Sequence, residues 1–146
     1  MIRRIVIILA LVMTLASFPA KSFELLMFHD KNCGYCLAFD RDVGFDYNTL
    51  EVAKILPLTV IDFHNPPEWV FNAIAVGQIK EVTATPTFIV WDERVKKEVD
   101  RLSGYVDREW FIGAIEFWIN NHTRFYDEDG NLKPDSPQLP ESEVES

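Results

Sequence analysis

Cys33-Gly34-Tyr35-Cys36 sets two thiols two residues apart, a spacing at which one sulfur can attack an external disulfide and the other can resolve the product. They are the only cysteines in the 146-residue chain. The pair follows the apolar run Phe23 to Phe28 and precedes Leu37-Ala38-Phe39, so a strand-to-helix junction is its expected setting. A helix N-terminus offers free N–H groups and the positive end of the dipole, both of which favour thiolate over thiol. Cys33 is therefore the expected nucleophile, and Cys36, one turn further in and less exposed, the expected resolving thiol. Tyr35, between them, is a candidate for shaping partner contact, since exposed aromatics anchor interfaces. His29 and Lys31 precede the pair and read as solvent-facing loop residues, with the charge of Asp30 opposing theirs.

Two other uses of the cysteines compete with redox exchange. A structural disulfide would close so small a loop that it contributes little chain-entropy stabilisation. A metal site would combine the two thiolates with His29 or His64, but no second Cys or His pair supplies the usual four zinc ligands. Copper(I), which accepts two soft sulfurs, is the better metal alternative.

The elements that must hold the pair follow from periodicity. A strand is expected over Phe23 to Phe28, a helix from Gly34 to Val43, and a weaker helical piece from Tyr47 to Leu56. Leu58 to Phe63 is β-branched and aromatic and reads as a second strand. Asn65-Pro66-Pro67 begins a helix reaching about Ile79, and Thr87 to Trp91 is a third strand. A polar turn leads to an exposed edge strand, Lys96 to Arg101. Gly104 breaks the chain, and Asp107 caps a last helix carrying Trp110, Phe111, Ile115, Trp118 and Ile119. Trp69, Phe88, Trp110, Phe111 and Trp118 are all expected to be core. Strands alternating with helices predict parallel pairing, and the final hairpin adds an antiparallel edge, giving a mixed sheet flanked by helices.

Both ends differ from this domain. Met1-Ile2-Arg3-Arg4, the apolar Ile5 to Ala16 and Ala20-Lys21-Ser22 form the pattern of a secretory signal cleaved near Ala20 to Ser22, and the dozen apolar residues fall short of a span. An uncleaved anchor is the rival reading. Losing residues 1–22 removes three of the 14 basic residues and none of the 23 acidic ones, taking the net charge from −9 to −12. Such a chain has no affinity for nucleic acid. Residues 122–146 hold seven acidic residues and Pro134, Pro137 and Pro140, and read as a disordered tail, with docking to a basic partner as the alternative.

Thr83-Ala84-Thr85-Pro86-Thr87 precedes a strongly apolar strand, where a proline is tolerated. Local composition favours an ordinary trans bond. A Cys-x-x-Cys after the first strand, Thr85-Pro86 about fifty residues later and Gly104 before the closing helix together resemble the thioredoxin superfamily over roughly residues 23–121. That resemblance implies a thioredoxin-like three-layer α/β fold with a mixed central sheet of about four strands. It also implies a cis Pro86 against the cysteines and a Thr85-Pro86 platform that holds an extended segment of substrate. Where the superfamily places a buried acid, six residues before the first cysteine, this chain has Met27, so Cys36 needs water or another group for proton transfer. Glu24 lies on the opposite face of the strand.

Phe28 to Cys36, followed by Phe39-Asp40-Arg41-Asp42-Val43-Gly44, is similar to the small periplasmic thioredoxins of bacterial sulfur-oxidation operons, which keep a partner's thiol reduced. Gly34-Tyr35 and the Thr before Pro86 also resemble periplasmic disulfide isomerases. The expectation is an exported, periplasmic thiol–disulfide oxidoreductase, a reductase that uses no organic cofactor beyond the Cys33–Cys36 disulfide. It would act on a periplasmic protein's thiol or disulfide and be recharged by a membrane electron donor. An oxidase or isomerase is the alternative within the class, and a copper or zinc metallochaperone the alternative outside it.

Overall fold

The structure, a computed structural model, describes residues 23–125. The expected signal segment and all but the first four residues of the expected acidic tail lie outside the described residues. Strand β1 (Phe23–His29) forms the middle of the fold. Its side chains alternate, so Phe23, Leu25 and Met27 enter one core and Leu26 and Phe28 another. Cover on both faces explains a run with no polar alternation.

After β1 come helix α1 (Gly34–Phe39), a π-type turn (Asp40–Gly44), a 3-10 turn (Tyr47–Thr49) and a short α2 (Glu51–Ile55). Strand β2 (Leu58–Asp62) follows, then α3 (Glu68–Ala75), β3 (Thr87–Asp92), β4 (Lys97–Ser103) and the long α4 (Arg108–Phe125). The sheet order is β2-β1-β3-β4. Helices α1, α2 and α4 cover one face and α3 the other, which gives the mixed, helix-flanked sheet expected from the sequence.

One pairing differs from expectation. Only β1 and β2 are parallel; β3 runs antiparallel to β1, with Phe28 opposite Thr87 and Phe23 opposite Asp92. The reason lies in α3, which ends at Ala75 rather than near Ile79, where Gly77 turns the chain with φ +75. Residues 76–86 then carry the chain back along the sheet, so β3 starts at the end where β1 finishes. This return delivers Thr85-Pro86 to the dithiol.

The α1 face is the thicker core. Phe39, Phe88 and Phe111 pack with ring centroids 4.7–5.0 Å apart, and Tyr105 stands edge-on to Phe39 at 5.5 Å. Tyr47 is fully buried and donates its hydroxyl to the Leu56 carbonyl at 2.8 Å. Helix α4 is capped as expected, the Trp110 N–H donating to Asp107 Oδ1 at 2.8 Å. It continues to Phe125, past the domain end anticipated at residue 121. Two expected core aromatics are not core: Trp69 and Trp110 stay about two-fifths exposed, because each lies at the margin of its helix's buried stripe. No helix among the described residues is long and apolar enough to cross a membrane.

Candidate active site

Cys33 occupies the N-cap of α1 with extended backbone, and its sulfur accepts the Cys36 N–H at 3.4 Å. The local loop sets this up: Asp30 Oδ1 accepts the Asn32 N–H at 2.8 Å, and the Asp30 carbonyl accepts the Cys33 N–H at 3.0 Å. Both cysteines are present as thiols. Cys33 is half-buried, whereas Cys36, inside the first turn, is fully buried in the thicker core with Met27 and Phe39. Tyr35 projects outward, two-thirds exposed.

The Cys33 thiol donates to the Thr85 carbonyl at 3.3 Å across a separation of 52 residues. The Thr85–Pro86 peptide bond is cis, as the family resemblance implied and local composition did not. The Pro86 carbonyl accepts the Gly104 N–H at 2.8 Å, and Gly104 has φ +87, a conformation that favours glycine there. Gly104 is thus part of the site's support as well as a chain break.

The two sulfurs differ in acidity for visible reasons. Burial opposes ionisation of Cys33. Hydrogen bonding from the Thr85 side chain, the Cys36 thiol and the N–H groups of Cys36 and Tyr35 outweighs it, so the Cys33 pKa lies below the ordinary cysteine value. Burial pushes Cys36 the other way, to about 11, with Cys33 adding in the same direction. One thiol is partly exposed and the readier to ionise, and the other is kept neutral beneath it.

His29 is not the solvent-facing loop residue the sequence suggested. Its side chain is only 16% exposed, and Nε2 lies 2.8 Å from Asp40 Oδ2. His64 Nε2 is 3.0 Å from Asp30 Oδ2, and Lys31 is exposed. Both histidines named as possible metal ligands are therefore engaged by carboxylates. Among the described residues, no group of three Cys, His, Asp or Glu side chains is arranged to hold a metal.

Sequence reasoning missed how the neighbouring segments are fixed. Arg108 forks onto Asp46 at 2.9 and 3.1 Å and donates to the Asp42 carbonyl at 2.7 Å, tying α4 to the turn that ends α1. Arg101 donates to the Lys80 and Glu81 carbonyls, while Glu98 accepts the Lys80 N–H and donates its own N–H to the Gln78 carbonyl. Strand β4 thereby straps the return segment that ends in Thr85-Pro86. Neither tie has a sequence signal beyond the presence of charged residues, which an exposed edge strand and a helix start carry in any case.

Comparison with known proteins agrees with this geometry. Residues 16–119 match the family described as the thioredoxin-like domain, a match that begins inside the segment read as a signal. The periplasmic thioredoxin SoxS from Paracoccus pantotrophus, in reduced form, is similar in structure at 24% identity and TM-score 0.55, over 67% of this chain and 96% of that one. A thioredoxin from Malassezia sympodialis (Mala s 13) is similar at 18% identity and TM-score 0.51, over 68% of this chain and 79% of that one. At these identities the likeness concerns the fold. Comparison with curated protein sequences gives no match. With the sheet order, the dithiol at the head of α1 and the cis proline beside it already established, the match across most of the sequence makes the chain a member of the thioredoxin-like domain family.

Proposed function

We propose that this protein is an exported thiol–disulfide oxidoreductase that works as a reductase, with Cys33 as nucleophile and Cys36 as resolving thiol. One observation carries the reading: an acidified, half-buried Cys33 sulfur next to Thr85-Pro86, with a neutral Cys36 one turn below. The Cys33 thiolate attacks a partner disulfide, forming a mixed disulfide and releasing one partner thiolate. Cys36 then attacks the Cys33 sulfur, closing the Cys33–Cys36 disulfide and freeing the second partner thiol. Two electrons pass to the partner, and a membrane electron donor returns them. No organic cofactor takes part.

Thr85-Pro86 serves as the partner platform. In the thiol state the Thr85 carbonyl is occupied by Cys33; once Cys33 is ionised or bonded to a partner, that carbonyl is free to accept from an extended segment. Exposed Tyr35, between the two cysteines in sequence, contacts the partner. Export to the periplasm is supported by the basic and apolar N-terminal pattern and by the likeness to a periplasmic thioredoxin.

A Cys36→Ala trap tests the division of labour: a mixed disulfide with the natural partner accumulates and is identified by mass, and absence of any adduct from folded, exported protein overturns it. Reduction potential tests direction. A value of about −270 mV supports a reductase, and one of about −120 mV an oxidase.

A further inference from the structure

Resolution by Cys36 poses a problem that the nucleophilic step does not. The sulfur is fully buried, and burial pushes its thiol up to about 11, so at neutral pH little thiolate is present and its attack is slow unless a neighbouring group takes the proton. The carboxylates of the strand and of the loop before Cys33 do not serve. Position 27, on the strand face packed against Cys36, is Met. Glu24 faces the other side of the sheet and is bonded by the Thr59 hydroxyl. Asp30 is held by the Asn32 N–H and His64, which keep its carboxyl below the usual range and make it a poor base.

His29 ends β1 two residues beyond Met27 and so leaves the strand on the same face. Asp40 lies four residues beyond Cys36 and donates its backbone N–H to the Cys36 carbonyl, which puts its side chain and that of Cys36 on one face of the helix, one turn apart. The Asp30 backbone, adjacent to His29, is close enough to the Cys36 sulfur to favour its thiolate. The strand end and the helix face therefore bracket Cys36 from two sides, and the His29–Asp40 contact closes the bracket.

We propose that His29, oriented by Asp40, is the base that takes the proton from Cys36 when Cys36 resolves the mixed disulfide. The inference rests on the redox reading above. A carboxylate can only accept, so Asp40 fixes the proton on Nε2 and leaves the lone pair on Nδ1, which has no other hydrogen-bond partner among the described residues. As the Cys36 sulfur bonds to the Cys33 sulfur, its proton passes to Nδ1. The Cys33–partner bond breaks, and the partner sulfur leaves with the electron pair as thiolate. The imidazolium, still bonded to Asp40, then returns the proton to that thiolate or to water. Other charged groups around His29 are Asp62, its register partner on β2, and the Asp30–His64 pair. Asp40 is a positioning residue, because it acts through the imidazole.

The test uses the whole reduced protein and an aromatic disulfide, dithiobis(nitrobenzoate), in stopped flow. Attack by Cys33 releases the first coloured thiolate, and resolution by Cys36 releases the second. In His29→Gln the first phase keeps its rate, while the second slows by about 10²-fold at neutral pH. The lost rate returns tenfold per pH unit as Cys36 ionises unaided, and added imidazole restores it in His29→Ala. Asp40→Asn slows the second phase less than His29→Gln does. A second phase with wild-type rate and pH profile in His29→Gln overturns the proposal. Parallel slowing of both phases also overturns it, because the pair would then merely hold α1 in place. If the wild-type protein shows no second phase, the redox reading itself fails.

Discussion

The two faces of the sheet are built to different standards. On the α1 side, three helical segments enclose a ring cluster in which Phe39 and Phe111 pack against each other and both meet Phe88 and Tyr105. On the α3 side, an eight-residue helix covers Leu26, Phe28, Ile89 and Trp91, and Trp69, Phe71 and Val76 stay exposed at its margin. The dithiol belongs to the thick side. Phe39 lies three residues after Cys36, so the clamp on its ring also fixes the turn that carries both sulfurs. A redox helix that must keep one thiol dry and the other accessible needs such a rigid backing, whereas the opposite face needs only to be closed.

Unequal damage is the strongest way to break this comparison. Phe111→Ala removes the ring shared by Phe39, Tyr47, Phe88 and Tyr105 and is expected to cost about 3–5 kcal/mol in urea unfolding. Trp69→Ala on the thin face removes a half-exposed ring leaning on Trp91, and is expected to cost only about 1 kcal/mol. Equal losses would mean that the two faces share one cooperative core.

Titration sharpens the comparison with a smaller effect. Burial raises Cys36 to about 11, Tyr105 to about 12 and Tyr47 as well, and all three belong to the thick-face cluster. A group whose native pKa is raised gives its full stabilisation below its unfolded pKa and loses it as pH climbs through the native value. Stability of the reduced protein should therefore fall between about pH 8.5 and 11 as the unfolded thiol ionises first. Cys33, whose native pKa is lowered, acts in the opposite direction, and its gain is complete by the start of that window. Cys36→Ala should lose less across the window than wild type, as measured by urea unfolding in reducing buffer.

The smallest expected effect is at the rim. Asp107→Ala removes the α4 cap and should cost about 1 kcal/mol in thermal unfolding, without changing how fast Cys33 is alkylated. A change in alkylation would show that the start of α4 supports the thiol more directly than its ties to Asp42 and Asp46 suggest.

Much of this was legible before any coordinates. Runs such as Phe23 to Phe28 and Leu58 to Phe63 announce strands, and Asp107 announces a cap, because burial and capping act locally. The cysteine pair, Thr85-Pro86 and Gly104 were visible by type and spacing. Hidden were features decided by where the chain travels after α3. The antiparallel course of β3 depends on residues 76–86 turning back, and nothing in their composition states a direction. The His29–Asp40 contact joins a strand end to a helix end, so neither residue's neighbours reveal it. Trp69 and Trp110 depart from the core expectation because helical spacing identifies a stripe but not how far its margin is covered.

The strap of Glu98 and Arg101 across residues 78–81 has a consequence for life at high concentration. Strand β4 lies at the sheet's rim, where bare N–H and carbonyl groups would invite another chain to add itself. The return segment occupies the Glu98 N–H near the start of β4, and the Arg101 guanidinium holds that segment there through the Lys80 and Glu81 carbonyls, so this end of the rim is covered by the protein's own backbone. The same ion pair that steadies the segment leading to Pro86 thus keeps that end of the edge out of reach of a second chain.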